Sequence, residues 1–118
     1  MSLTVQTEQR GDVVVVSVAG ELDMATAPQL QDQITDLLDK GRNRLVFDLA
    51  DVSFCDSTGL SVFVRAKNSC DEAGGVVRLA APQRGVLRIL EVSGLVEVLH
   101  TYPTVEQAVA GDPTPASS

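Results

Sequence analysis

The run Val13-Val14-Val15-Val16-Ser17-Val18 restricts the fold more than any other stretch of this chain. It is almost wholly β-branched and short enough for a single strand. Before it, Leu3, Val5 and Thr7 alternate with Thr4, Gln6 and Glu8, the pattern of a half-buried edge strand. Arg10-Gly11-Asp12 supplies turn residues between the two runs, and so short a gap predicts an antiparallel hairpin. Valine accounts for 18 of the 52 apolar residues, and only four residues are aromatic. A β-rich, valine-packed interior follows, with too few rings for a base-stacking platform.

Beyond the hairpin the apolar spacing changes period. Ala27, Leu30, Ile34 and Leu37, with Leu38 beside them, mark one face of a helix. Thr26 is its expected N-cap, Pro28 suits the first turn and Gly41 the C-terminal cap. Leu45–Leu49 reads as a strand. Gly59, Phe63, Ala66, Cys70 and Ala73 give a second helix a face of mostly small residues, stopped by Gly74-Gly75. Val76–Ala80 is another strand, and Val86, Ile89 and Leu90 face a third helix closed by Gly94. Val96-Glu97-Val98-Leu99 reads as a short last strand, and Thr104 with Gln107 as a capping box for a final helix ending at Gly111. The order is β-β-α-β-α-β-α-β-α. This predicts one α/β domain over residues 1–111 with a mixed sheet, its parallel part made by right-handed crossovers. The tail 112–118 has no apolar anchor and is expected to be disordered.

With 118 residues the chain is the size of one domain, and its formal charge of −7 disfavours binding to nucleic acid. No apolar stretch is long enough to span a bilayer, and the start shows no secretion signal, so a cytoplasmic protein is expected. Enzyme constellations fail in turn. His100, placed in a late strand, is the one histidine, and Cys55 and Cys70 lack metal-ligand spacing and read as buried free thiols. Asp48 and Asp51 could flank a metal but more simply cap a turn or face solvent. No P-loop or Gly-x-Ser-x-Gly is present. Neither a metal nor a cofactor is expected of this chain.

One segment stands apart. Asp56-Ser57-Thr58-Gly59 joins a strand to a helix, where free N–H groups and the helix dipole favour an anion. Two readings of it are open. Asp56 or Ser57 could simply cap the helix, with Gly59 serving close packing. Alternatively Ser57 accepts a phosphoryl group, which would add nearly two negative charges beside Asp56 and drive off a docked partner.

Gly20-Glu21-Leu22-Asp23 with Thr26-Ala27, then Phe47-Asp48-Leu49, then Asp56-Ser57-Thr58-Gly59-Leu60, in this order and spacing, resemble the STAS domain. Within it the resemblance is to the bacterial anti-sigma factor antagonists, over roughly residues 3 to 110. It implies a non-enzymatic partner switch. The unphosphorylated form would bind an anti-sigma factor that is also a serine kinase, freeing the sigma factor. Phosphorylation at Ser57, or less readily at Thr58, would release it, and a serine phosphatase would reset it. ATP and magnesium would belong to the histidine-kinase-like partner. Asp23, Asp56, Ser57, Thr58, Gly59 and Leu60 would form the docking surface, the two carboxylates pairing with basic groups. The free chain is expected to be monomeric. The alternatives are a STAS-domain subunit of a membrane lipid transporter or other complex without a phosphoswitch, and, with little support, a small acidic enzyme.

Overall fold

The computed structural model describes residues 2–111, so the expectation for the 112–118 tail lies outside the described residues. Five strands form one sheet in the order β1-β2-β3-β4-β5: β1 Leu3–Arg10, β2 Val13–Leu22, β3 Arg44–Cys55, β4 Val76–Ala80 and β5 Thr101–Tyr102. β1 and β2 are the expected antiparallel hairpin, with Gly11 at φ +60° in its two-residue turn. The other neighbours pair in parallel through helical connections. The helices are α1 Ala27–Asp39, α2 Ser57–Glu72, α3 Arg84–Val92, α4 Leu95–Val98 and α5 Val105–Ala110. None of them is long and apolar enough to cross a membrane.

The valine run is buried on both sides. Val14, Val16 and Val18 join the larger core with Leu30 and Ile34 of α1, Phe63 and Ala66 of α2, and Val86 and Leu90 of α3. Val13 and Val15 face the opposite way, into a smaller cluster with Val46, Tyr102 and Ala108 of α5. A sheet covered on both faces needs such continuous apolar strands, and valine fits them best. Phe47 and Phe63 meet edge to face at 5.1 Å between ring centroids, fixing α2 over β3.

Strand and helix order are as expected, with four local corrections. The Val96–Leu99 stretch is not the last strand. Gly94, at φ +76°, ends α3 and starts the single turn α4, in which the Leu99 N–H donates to the Leu95 carbonyl at 2.9 Å. Leu99 is buried and Leu95 and Val96 half-buried, so here helical spacing overrides the strand preference of valine. His100, exposed and at φ +49°, then turns the chain into β5, where Thr101 pairs with Leu79. His100 is therefore a turn residue, not a strand residue. Ala73 is exposed just past the end of α2 and adds nothing to its packed face. Finally, Thr26 does not cap α1 with its side chain; its hydroxyl is used elsewhere, as described below. At the far end of α1 the expected cap is present: Gly41 takes φ +78°, and Arg42 N–H reaches the Leu37 carbonyl at 2.9 Å.

Candidate functional site

β3 does not stop at Leu49. It continues beside β2 through two register shifts, at Ser17/Ala19 and Gly20/Glu21, until Leu22 pairs with Cys55. The two strands thus end together, and the Asp56 N–H still reaches the Leu22 carbonyl at 3.1 Å. Asp23 and Asp56 are the next residues in each chain segment, so the shared strand ends bring both carboxylates to one rim of the sheet.

Each aspartate builds the start of its helix. Asp56 is extended (φ −100°, ψ −173°), and its Oδ1 accepts the Gly59 N–H at 3.0 Å. Asp23 Oδ1 accepts the N–H groups of Ala25 and Thr26 at 2.9 and 3.1 Å. The buried Thr26 hydroxyl donates to the Glu21 carbonyl at 2.7 Å and accepts from the Asp23 N–H at 2.9 Å, pinning the strand end to the helix start. The capping reading of the Asp-Ser-Thr-Gly segment therefore holds, and Asp56 rather than Ser57 is the cap.

Capping leaves room for an anion. Asp56 takes only the Gly59 donor, while the N–H groups of Ser57 and Thr58 come too early in α2 to have an intrahelical acceptor. The positive end of a 16-residue helix dipole lies at the same point. Of the two hydroxyl residues there, Ser57 is exposed and Thr58 half-buried. Gly59 and Leu60 are both buried, so they hold α2 on the sheet more than they present surface. Cys55 is buried directly beneath; burial, and then the Asp56 charge, push its thiol up to about 12, so it stays protonated and is no nucleophile. Away from this rim, the Asp48 carboxylate accepts the Ala50 N–H at 3.1 Å where β3 shifts register against β2, so Asp48 lies within a strand and caps no turn, while Asp51 is exposed to solvent.

Two grooves run from Ser57 along α2. One, of about 430 Å³, lies against α1, with Met24, Pro28 and Asp32 opposite Thr58, Ser61 and Arg65. The other, of about 410 Å³, is walled by Leu60, Val64 and Leu95. Met24 is 75% exposed at the mouth of the first. Sequence reasoning did not single out Met24, Arg65 or Leu95. The signal for Arg65 was its spacing, two steps of four from Ser57 through Ser61. Leu95 carried none, because its segment read as the approach to a strand.

Residues 4–108 match the STAS domain family. The chain is 32% identical over 99 residues to the anti-sigma-B factor antagonist of Bacillus subtilis (strain 168), a match covering 84% of this chain and 90% of that one. An anti-sigma factor antagonist from Mycobacterium paratuberculosis superposes with a TM-score of 0.84 at 32% identity, over 93% of both chains. The anti-sigma factor antagonist SpoIIAA shares the fold at 23% identity: in its unphosphorylated form the TM-score is 0.79, over 92% of this chain and 95% of that one. Its phosphorylated form gives 0.71, over 92% and 98%.

Proposed function

Because this chain belongs to the STAS domain family, among the anti-sigma factor antagonists, we propose that it is a phosphoserine partner switch acting on an anti-sigma factor. Unphosphorylated, it docks on an anti-sigma factor serine kinase through the rim formed by Asp23, Asp56 and the start of α2. That docking displaces the sigma factor. The kinase, which holds the ATP and magnesium, transfers a phosphoryl group to the Ser57 hydroxyl, and a serine phosphatase removes it.

One observation carries this reading: an exposed serine stands at the first position of a long helix whose cap is made by the preceding aspartate. A serine that capped the helix itself would have its oxygen engaged. Here the cap and the acceptor are different residues, so the phosphate oxygens can face the N–H groups of Ser57 and Thr58 without breaking the cap. The added charge of nearly −2 next to Asp56 then opposes any partner groups placed there by the unphosphorylated form. That SpoIIAA exists in both phosphorylated and unphosphorylated forms supports a switch on this fold.

The test is direct. Each purified anti-sigma factor kinase of the source organism, supplied with ATP and magnesium, is incubated with the protein and the product read by intact mass. One added phosphate is expected on the wild type and on Thr58→Ala, and none on Ser57→Ala. Continued modification of Ser57→Ala would move the site elsewhere.

A further inference from the structure

We infer that Arg65 is the specificity-determining cation of this docking surface, and that the partner meets it with a carboxylate. The inference rests on the proposed function and adds to it a polarity that the Asp-Ser-Thr-Gly segment does not carry.

Ser57, Ser61 and Arg65 stand four residues apart and form one ridge along α2, and all three line both grooves. Helical side chains lean toward the N-terminus of their helix, so the guanidinium extends along the ridge toward Ser57. The small side chain of Ser61 keeps the ridge low between them. Three other cations are paired, Arg10 with Glu8 at 2.9 Å, Lys40 with Asp36 at 3.0 Å and Lys67 with Asp71, while Arg42, Arg44, Arg78, Arg84 and Arg88 make no ion pair among the described residues but line neither groove. Among the described residues Arg65 makes no ion pair, although Asp32 stands on the opposite wall of the first groove. Arg65 is the one cationic side chain lining either groove.

The occupant follows from charge and shape together. A chain of net charge −7 repels acidic surfaces in general, so an exposed, unpaired arginine, with Met24 lining one groove and Leu95 the other, selects where an acidic group can land. Covering Met24 on one side and Leu95 on the other would exclude water from the ridge. A pair formed there is worth more than an exposed one. The guanidinium can receive a carboxylate through two parallel N–H donors, which an ammonium cannot. Release is then built into the same contact. Ser57 and Arg65 lie about 12 Å apart along the helix axis. A phosphate on Ser57 faces the partner's carboxylate across a dry ridge, where screening is weak.

The experiment compares Arg65→Ala, Arg65→Glu and Arg65→Lys as substrates of the kinase that phosphorylates the wild type, with circular dichroism to check folding. KM is expected to rise about tenfold for Ala and further for Glu, while kcat stays within about twofold. Lys should recover only part of the loss, because it restores charge but not the fork. Raising the salt concentration should weaken the wild type more than Arg65→Ala. An Arg65→Glu variant whose KM stays within about twofold of wild type overturns the inference alone. A wild type that no anti-sigma factor kinase phosphorylates overturns the proposed function and the inference with it.

Discussion

A methyl group added at Gly59 would meet Cys55 Sγ and Leu22 Cγ at 2.8 Å and the Leu22 carbonyl oxygen at 3.0 Å. Two of those atoms belong to buried side chains and one to the backbone of a central strand, so α2 itself would have to move. Gly59→Ala is expected to cost about 1–3 kcal/mol from overpacking, less up to about 1 kcal/mol regained from helix propensity. Differential scanning calorimetry should show a lower thermal midpoint; an unchanged midpoint would mean that α2 tolerates lifting. The same residue shows what was legible at this scale. The letters Asp-Ser-Thr-Gly announced a helix start, an anion-favouring end and a close approach. They did not say which oxygen caps the helix, because Asp and Ser cap equally well from sequence and only the Asp56–Gly59 bond decides. Thr26 was misassigned for a related reason: a hydroxyl both donates and accepts, and its buried partners at Glu21 and Asp23 are set by the tertiary turn.

Helices and strands with a clear period were readable, and the failures fell where two patterns compete. Val96 and Val98 favour a strand by type, but Leu95, Val96 and Leu99 pack with the spacing of one helical turn. The second half of β3 was hidden by Ala50, Asp51 and Ser53, which interrupt the apolar alternation while pairing with β2 keeps the strand going. That extension matters more than its length suggests, since it carries Asp56 to the level of Asp23. The junction of β2 with α1 is held largely by the Thr26 hydroxyl. Thr26→Ala strands the Glu21 carbonyl and the Asp23 N–H next to a buried site, with an expected loss of about 1–3 kcal/mol. Thr26→Ser keeps the oxygen and should recover most of it. Urea denaturation of the two variants checks this, and equal losses would assign the effect to the methyl group instead.

At the scale of the whole molecule, the proposed switch sits on the rim of a sheet whose valine-rich centre is sealed on both faces. Nothing in the switch requires that centre to change. Phosphorylation takes the net charge from −7 to about −9 and places the new charge at the start of α2. There the helix dipole favours a phosphate by about 0.3–1 kcal/mol, and repulsion from the neighbouring Asp56 carboxylate acts against it. The two contributions have opposite sign and similar size, so the thermal midpoint of the stoichiometrically phosphorylated protein is expected to move by less than about 4 °C. Amide exchange in β2 and β3, at Val16, Val46 and Phe47, should be unchanged, because those residues are fully buried and away from the rim. Partner affinity should nevertheless fall, since the phosphate lies on the surface the partner covers. Loss of protection in the central strands would instead make phosphorylation an unfolding signal. A preserved core with weakened docking separates the two mechanisms, and it is the result that a rigid platform with a charged rim requires.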